Sequence, residues 1–332
     1  MSKVAKGLHQ NLQPQLRNFI RQSILGELLP RFHAGEALTS YLKMKVYQNQ
    51  FFEGERPLFA EKNLALDHVR FYPGESALKH SENVQISQCN FMGKYPLWHS
   101  ANVNIHDTEF QVYARAAIWY TRHLHMQNCR VDAPKMFREC SELDILETTF
   151  SDAQETLWNC TSVKLERVTM EKADYVFMNG RELEVRNFDL QGNYSFQGAK
   201  NVTIHDSKLQ SKDAFWHAEN VTVYDSLIEG EYLGWHSKNL TLINCTIIGE
   251  QPLCYAQNLK LVNCQLFDAE LGFEYSTVEA DIKGTIQSIK NPAGGRIKAF
   301  RIDEIIIDEN CINPGACEII QTETQGCAGC EV

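Results

Sequence analysis

Residues 220–247 read NVTVYDSLIEGEYLGWHSKNLTLINCTI, and the opening phrase returns after 19 residues: Asn220-Val-Thr-Val-Tyr-Asp-Ser becomes Asn239-Leu-Thr-Leu-Ile-Asn-Cys. Starts of the same phrase run from Lys43, Asn63, Asn83 and Asn102 through to Asn258 and Thr277, spaced 19 to 21 residues apart. Self-similarity at this period marks a solenoid. Its apolar residues recur every second position (Val221 and Val223, Leu240 and Leu242), which excludes a helical repeat.

Counting the phrase start as zero, positions one and three are apolar and read as a short inward-facing strand. Position five is usually Asn or Asp (Asp206, Asp225, Asn244), residues that tolerate a left-handed bend. Position eight is large and apolar (Phe91, Phe110, Phe150), giving a second strand. A small residue such as Gly74, Ala153 or Gly230 follows, and Leu97, Leu157, Phe196 and Phe215 mark a third strand. Three short strands per coil describe an all-β chain, a single-stranded right-handed parallel β-helix of about 12 coils. At about 4.8 Å per coil the rod is about 55–60 Å long.

The repeat divides the chain into three. Residues 41–309 form the β-helix. Residues 1–40 carry Leu12, Leu16, Phe19, Ile20 and Ile24 at helical spacing and read as an N-terminal helical cap over the first coil. Residues 310–332 read as an irregular, cysteine-bearing tail.

FFEGERPLFAEKNLAL (51–66), GKYPLWHS (93–100), ARAAIWYT (114–121), SKDAFWHAENVTVYDS (211–226), GEYLGWHSKNLTLINCTI (230–247) and FEYSTVEADIKG (273–284) agree beyond what the repeat requires. In these phrases the chain resembles a bacterial family of uncharacterised proteins, a domain-of-unknown-function group with a pectate-lyase-like β-helix. The resemblance implies the fold and supplies neither substrate nor catalytic residues. Of the polygalacturonase motifs only Arg296-Ile297-Lys298 is present, and a closing strand accounts for it.

The formal charge of −10 disfavours nucleic acid and anionic membranes as partners. No segment reaches the roughly 18 continuous apolar residues of a membrane span. The interrupted N-terminal segment does not resemble a secretory signal, so a cytoplasmic location is expected. Cys89, Cys129, Cys245 and Cys264 share position six with Ser, Thr and Val and read as small buried residues. No cofactor is expected. Cys311, Cys317, Cys327 and Cys330 form C-x5-C-x9-C-x2-C, a weak candidate for zinc or an iron–sulfur cluster, with an inert tail favoured.

All five tryptophans (Trp98, Trp119, Trp158, Trp216 and Trp235) fall four residues before a phrase start, in a column shared with Lys79, Arg138, Gln197 and Phe273. Because charges are rarely buried unpaired, this column is expected to face outward. Arg115, Lys135, Glu155, Asp174, Asp213, Glu231 and Tyr232 lie just before it, and His217 and His236 directly after two of the tryptophans. The combination of rings, carboxylates and cations reads as an elongated binding face for a carbohydrate or related ligand. Glu155 and Asp174, on neighbouring coils, are the candidate carboxylate pair if the chain is a carbohydrate-active hydrolase or lyase. The alternative for that pair is a solvated ladder in which Lys135 neutralises Glu155; for the whole column it is structural ladder stacking under a covering loop, or a homo-oligomer interface.

Overall fold

The computed structural model describes residues 44–323, and the proposed cap lies outside them, as do Cys327 and Cys330. The described residues form a right-handed parallel β-solenoid of about 15 turns, without a helix. Its first side runs from strand Lys45–Gln48 through Lys62–Asp67, Glu82–Ser87 and Ala101–His106 to Lys238–Ile243 and beyond, each in parallel register with the next. The coil count exceeds the expected 12 because Gly294–Ile306 continues the stack and Cys317–Gln321 adds a last strand. The segment from 310 onward, expected to be irregular, therefore carries a rung of the helix.

The bend at position five is present, and position zero is a second corner. In the coil from Asn201, left-handed backbone occurs at Asn201, Asp206, Asp213, Phe215 and His217, with φ between 50° and 61°. Such backbone crowds Cβ against the carbonyl in most residues, and Asn offsets this by bonding locally. Here the amides bond between coils: Asn220 Nδ2 donates to Asn201 Oδ1 at 2.9 Å, Asn239 to Asn220 at 2.7 Å and Asn258 to Asn239 at 2.8 Å. The recurring Asn that marks each phrase is thus a corner ladder.

The third side corrects the sequence reading. Only Ile118–Trp119 and Phe137–Arg138 pair there as strands; elsewhere it is a stack of turns. Three left-handed residues at alternate positions, as in Asp213, Phe215 and His217, coil this side too tightly for extended pairing. The apolar residues nevertheless point inward as expected, and stack. Phe177 and Phe196 lie 4.7 Å apart, Phe196 and Phe215 5.2 Å, and on the second side Phe71, Phe91 and Phe110 follow at 4.8 and 4.9 Å. Gly74 marks a close approach of coils, since a Cβ there would lie 2.1 Å from the Gly54 carbonyl oxygen.

Position six closes the corner with a hydrogen bond. Ser226 Oγ donates to the Tyr224 carbonyl at 2.6 Å and Thr108 Oγ1 to that of His106 at 2.8 Å. Cys89 Sγ makes the same contact with Ser87 at 3.2 Å. Cysteine here substitutes for a hydroxyl rather than for an apolar methyl, and burial pushes the Cys89 and Cys129 thiols up to about 12, unreactive at neutral pH.

Candidate functional site

The tryptophan column faces outward, and all five rings are half-buried. Cys254 and Phe273, four residues before the last two phrase starts, depart from the column: both are fully buried, and Phe273 aligns with Leu253 because the coil from Leu253 to Phe273 is one residue longer on this side. The indole N–H groups point along the rod. Trp98 Nε1 donates to the Ala116 carbonyl at 2.6 Å, Trp119 to Lys135 at 2.8 Å, Trp158 to Tyr175 at 2.6 Å and Trp235 to Gln251 at 2.7 Å.

Ring faces are covered by the neighbouring rungs. Trp98 and Trp119 stack at 5.1 Å with 7° between planes, and Lys79 Nζ lies 5.3 Å from the outer face of that pair. The Arg138 guanidinium sits 4.4 Å from the Trp119 ring and 4.5 Å from that of Trp158, a cation sandwiched between two indoles. Trp216 and Trp235 are tilted by 39° at 5.8 Å. A pyranose stacks on an exposed aromatic face, and from Lys79 to Trp158 the stacking and the cations occupy those faces. The column is a structural ladder first.

Glu155 receives Lys135 Nζ at 2.9 Å and Arg138 at 3.3 Å, and its side chain is 23% exposed. Asp174 Oδ1 accepts the Asn193 backbone N–H at 2.7 Å, closing a corner. Both carboxylates of the sequence-derived pair thus have structural partners. Lys135 neutralises Glu155 as the ladder alternative expected.

Asp213 differs from the other carboxylates. It is 3% exposed and lies in a column between Tyr194 and Tyr232, and its Oδ1 has no partner among the described residues. Burial pushes its carboxyl above the usual carboxylate range, with Lys212 opposing and Glu231 adding to the shift. Its neighbours Lys212 and Glu231 pair at 3.1 Å. Lys212 Nζ also lies 5.1 Å from the Tyr232 ring. Arg115 is exposed on a loop with Tyr113, which is 74% exposed. His217 stacks on His236 at 4.9 Å and His236 on Tyr255 at 4.9 Å, a second aromatic ladder that repeats in His80, His99 and Tyr120.

Among the described residues no cluster of three or more His, Cys, Asp or Glu could hold a metal ion. Cys317 lies on the last strand, half-buried.

A site that the sequence reading passed over lies on the outer second side of the first four coils. Phe51, Arg70, Asn90 and Glu109 are in register on successive rungs. Together with Asn49, His68, Gln88 and Asp107 at the adjacent corner, and with Tyr72, they line an open cleft of about 570 Å³. That volume is in the range of small-molecule sites. Phe51 is 65% exposed and lies 5.7 Å from Tyr72, the two ring planes at 75° to each other. Asn90 Nδ2 donates to Glu109 Oε2 at 2.6 Å while Asn90 Oδ1, buried, has no donor among the described residues. The one available sequence signal was negative: these outward columns carry unlike residues from coil to coil, whereas ladders repeat.

The family model for proteins of unknown function designated DUF3737 matches residues 45–320, nearly the whole solenoid. The chain belongs to the DUF3737 family. Comparison with curated protein sequences gives no match. Among solved structures, this DUF3737 protein is similar to PfbA, a surface adhesin of Streptococcus pneumoniae, at 9% identity, covering 74% of this chain and 90% of that one with a TM-score of 0.48. It is also similar to the A-module of the mannuronan C-5 epimerase AlgE6 of Azotobacter vinelandii, at 10% identity over 73% and 91% of the two chains, TM-score 0.39. A tailspike protein of E. coli bacteriophage HK620, in complex with a hexasaccharide, aligns at 10% identity over 88% and 75%, TM-score 0.34. These likenesses concern the coiled architecture and carry no functional argument for the DUF3737 chain.

Proposed function

We propose that this DUF3737 protein is a carbohydrate-binding β-helix without catalytic activity, and that its cleft on the first four coils receives the sugar. The observation that carries the reading is the exposed Phe51 side chain beside Arg70, Asn90 and Glu109 in one cleft. An exposed aromatic ring with nearby carboxylate and guanidinium groups suits a ligand that is apolar on one face and hydroxylated at its edge. The tryptophan ladder stiffens the rod that presents this cleft. Titration calorimetry of the full chain against trisaccharides of glucose, galactose, glucuronate and galacturonate tests it. Saturable binding that Phe51→Ala abolishes and Trp216→Ala leaves intact is the expected result. Binding lost in Trp216→Ala but not in Phe51→Ala would return the site to the tryptophan face.

A second reading has its own observation. Phe300, Ile305, Ile307 and Ile312 are 40–64% exposed near the last turns of the rod, which favours end-on self-association.

A further inference from the structure

We propose that the cleft selects sugars carrying a carboxylate, with Arg70 as the group that receives it; this rests on the cleft being the sugar site. Charge in the cleft is unevenly spent. Glu109 is held by the Asn90 amide, and Asp107 accepts from Asn128 Nδ2. His68 Nδ1 lies 2.9 Å from Asp67 Oδ1, and Asp67 also accepts from Gln48. Among the described residues the Arg70 guanidinium makes no ion pair and no side-chain hydrogen bond, although it is exposed at the cleft. Lys62 pairs with Glu82 at 2.8 Å, Lys94 with Glu75 at 3.9 Å and Arg130 with Asp132 at 3.1 Å, whereas Arg70, like Arg115 and Arg122, forms no ion pair among the described residues. What sets Arg70 apart is its place in the cleft beside Phe51, where its guanidinium can receive a carboxylate from outside.

The register supplies the second contact. Arg70 and Asn90 are directly paired on adjacent rungs, about 4.8 Å apart along the rod. Asn90 Oδ1 is closed to the cleft and its amide N–H is taken by Glu109, so the ligand contacts fall to Arg70 and the rung before it. Phe51, paired with Arg70 on the other side, faces the apolar side of the sugar ring. One rung thus recognises the acid and the previous one the ring. A sugar acid satisfies both at once; a neutral sugar leaves Arg70 without its partner, and a simple anion leaves the Phe51 ring uncovered.

The test compares uronate trisaccharides with their methyl esters by titration calorimetry on the full chain. The acid is expected to bind at least about tenfold more tightly than the ester, a difference of about 1.4 kcal/mol. Arg70→Gln should erase that difference by weakening the acid and leaving the ester unchanged, while Arg70→Lys keeps part of it. Arg70 is on the surface, so circular dichroism of both variants should match that of the parent. Equal affinity for acid and ester in the parent, or a preference that survives Arg70→Gln, would overturn the assignment of Arg70 while leaving the cleft as a sugar site. Failure of every sugar to bind would overturn both.

Discussion

Replacing Arg138 by methionine removes the cation between Trp119 and Trp158 while keeping a chain of similar length in the ladder. The guanidinium makes two ring contacts, at 4.4 and 4.5 Å, each worth about 0.5–1 kcal/mol in a half-buried setting. It also shares Glu155 with Lys135, at 3.3 Å and 22% exposure, for about a further 1 kcal/mol. The expected loss is therefore about 2–3 kcal/mol. Since a solenoid need not unfold in one step, the loss is read in two ways: by urea unfolding followed through indole fluorescence, and by hydrogen exchange at the Ile118–Trp119 and Phe137–Arg138 pairing. Glu155→Gln should cost part of the same energy, and the double variant should cost less than the sum. A loss below about 0.5 kcal/mol, or strict additivity with Glu155→Gln, would refute the sandwich as a structural device and revive Glu155 as a carboxylate held for chemistry.

Two further outcomes follow from titration. The His99 and His236 imidazoles are held below the ordinary histidine value, first by burial and then by the stacked neighbours, His80 with Lys79 in one case and His217 in the other. A depressed imidazole contributes stability that is complete above its unfolded pKa of about 6.5 and is lost as pH falls through the folded value. Thermal unfolding should shift downward between neutral pH and pH 5, and His99→Phe should blunt the shift; a flat profile would contradict the stacked arrangement. For Asp213 the sign is opposite: a carboxyl raised by burial stabilises fully below its unfolded pKa and loses that contribution as pH rises through the folded one. Asp213→Asn should therefore raise stability at pH 7, by about 1 kcal/mol if the amide also finds the missing bond, with little gain near pH 3; a destabilised Asn variant would show that Oδ1 has a partner.

The fold was legible because a solenoid writes its contacts into sequence spacing. Val221 and Leu240 lie 19 residues apart and are paired in the structure, and the same holds along the first side. The Trp column was placed outward correctly, on the argument that it admits Lys79 and Arg138. The third side was misread because one recurring inward apolar residue per coil, such as Phe196 and Phe215, suits a stack of turns as well as a strand; the consecutive burial of Ala214 and Phe215 marks the turn. Phe273 was misassigned because fixed counting from the phrase start cannot see a one-residue insertion elsewhere in the coil. The carboxylate pair was named on proximity along the rod, and the partners that occupy it, Lys135, Arg138 and the Asn193 amide, come from side-chain geometry that spacing does not encode.

Ring coverage separates the two surfaces. When like residues recur at one position, each ring stacks on its copy one coil away, and repetition that strengthens the rod hides the faces a ligand would need. Trp98 on Trp119 and Tyr175 on Tyr194, at 4.7 Å, are such pairs. A ring without a stacked copy occurs where the repeat breaks. Phe51 has Arg70 rather than an aromatic residue on the next rung, next to a register shift between Phe52 and Gly54 that disturbs the second side. The rungs that follow, Asn90 and Glu109, are again unlike it and each other. The same column stays varied further along the rod, through Arg130, Thr149, Asp189, Lys208 and Leu227, so unlikeness alone does not make a site; what the first four coils add is an exposed aromatic ring and a guanidinium in one open cleft.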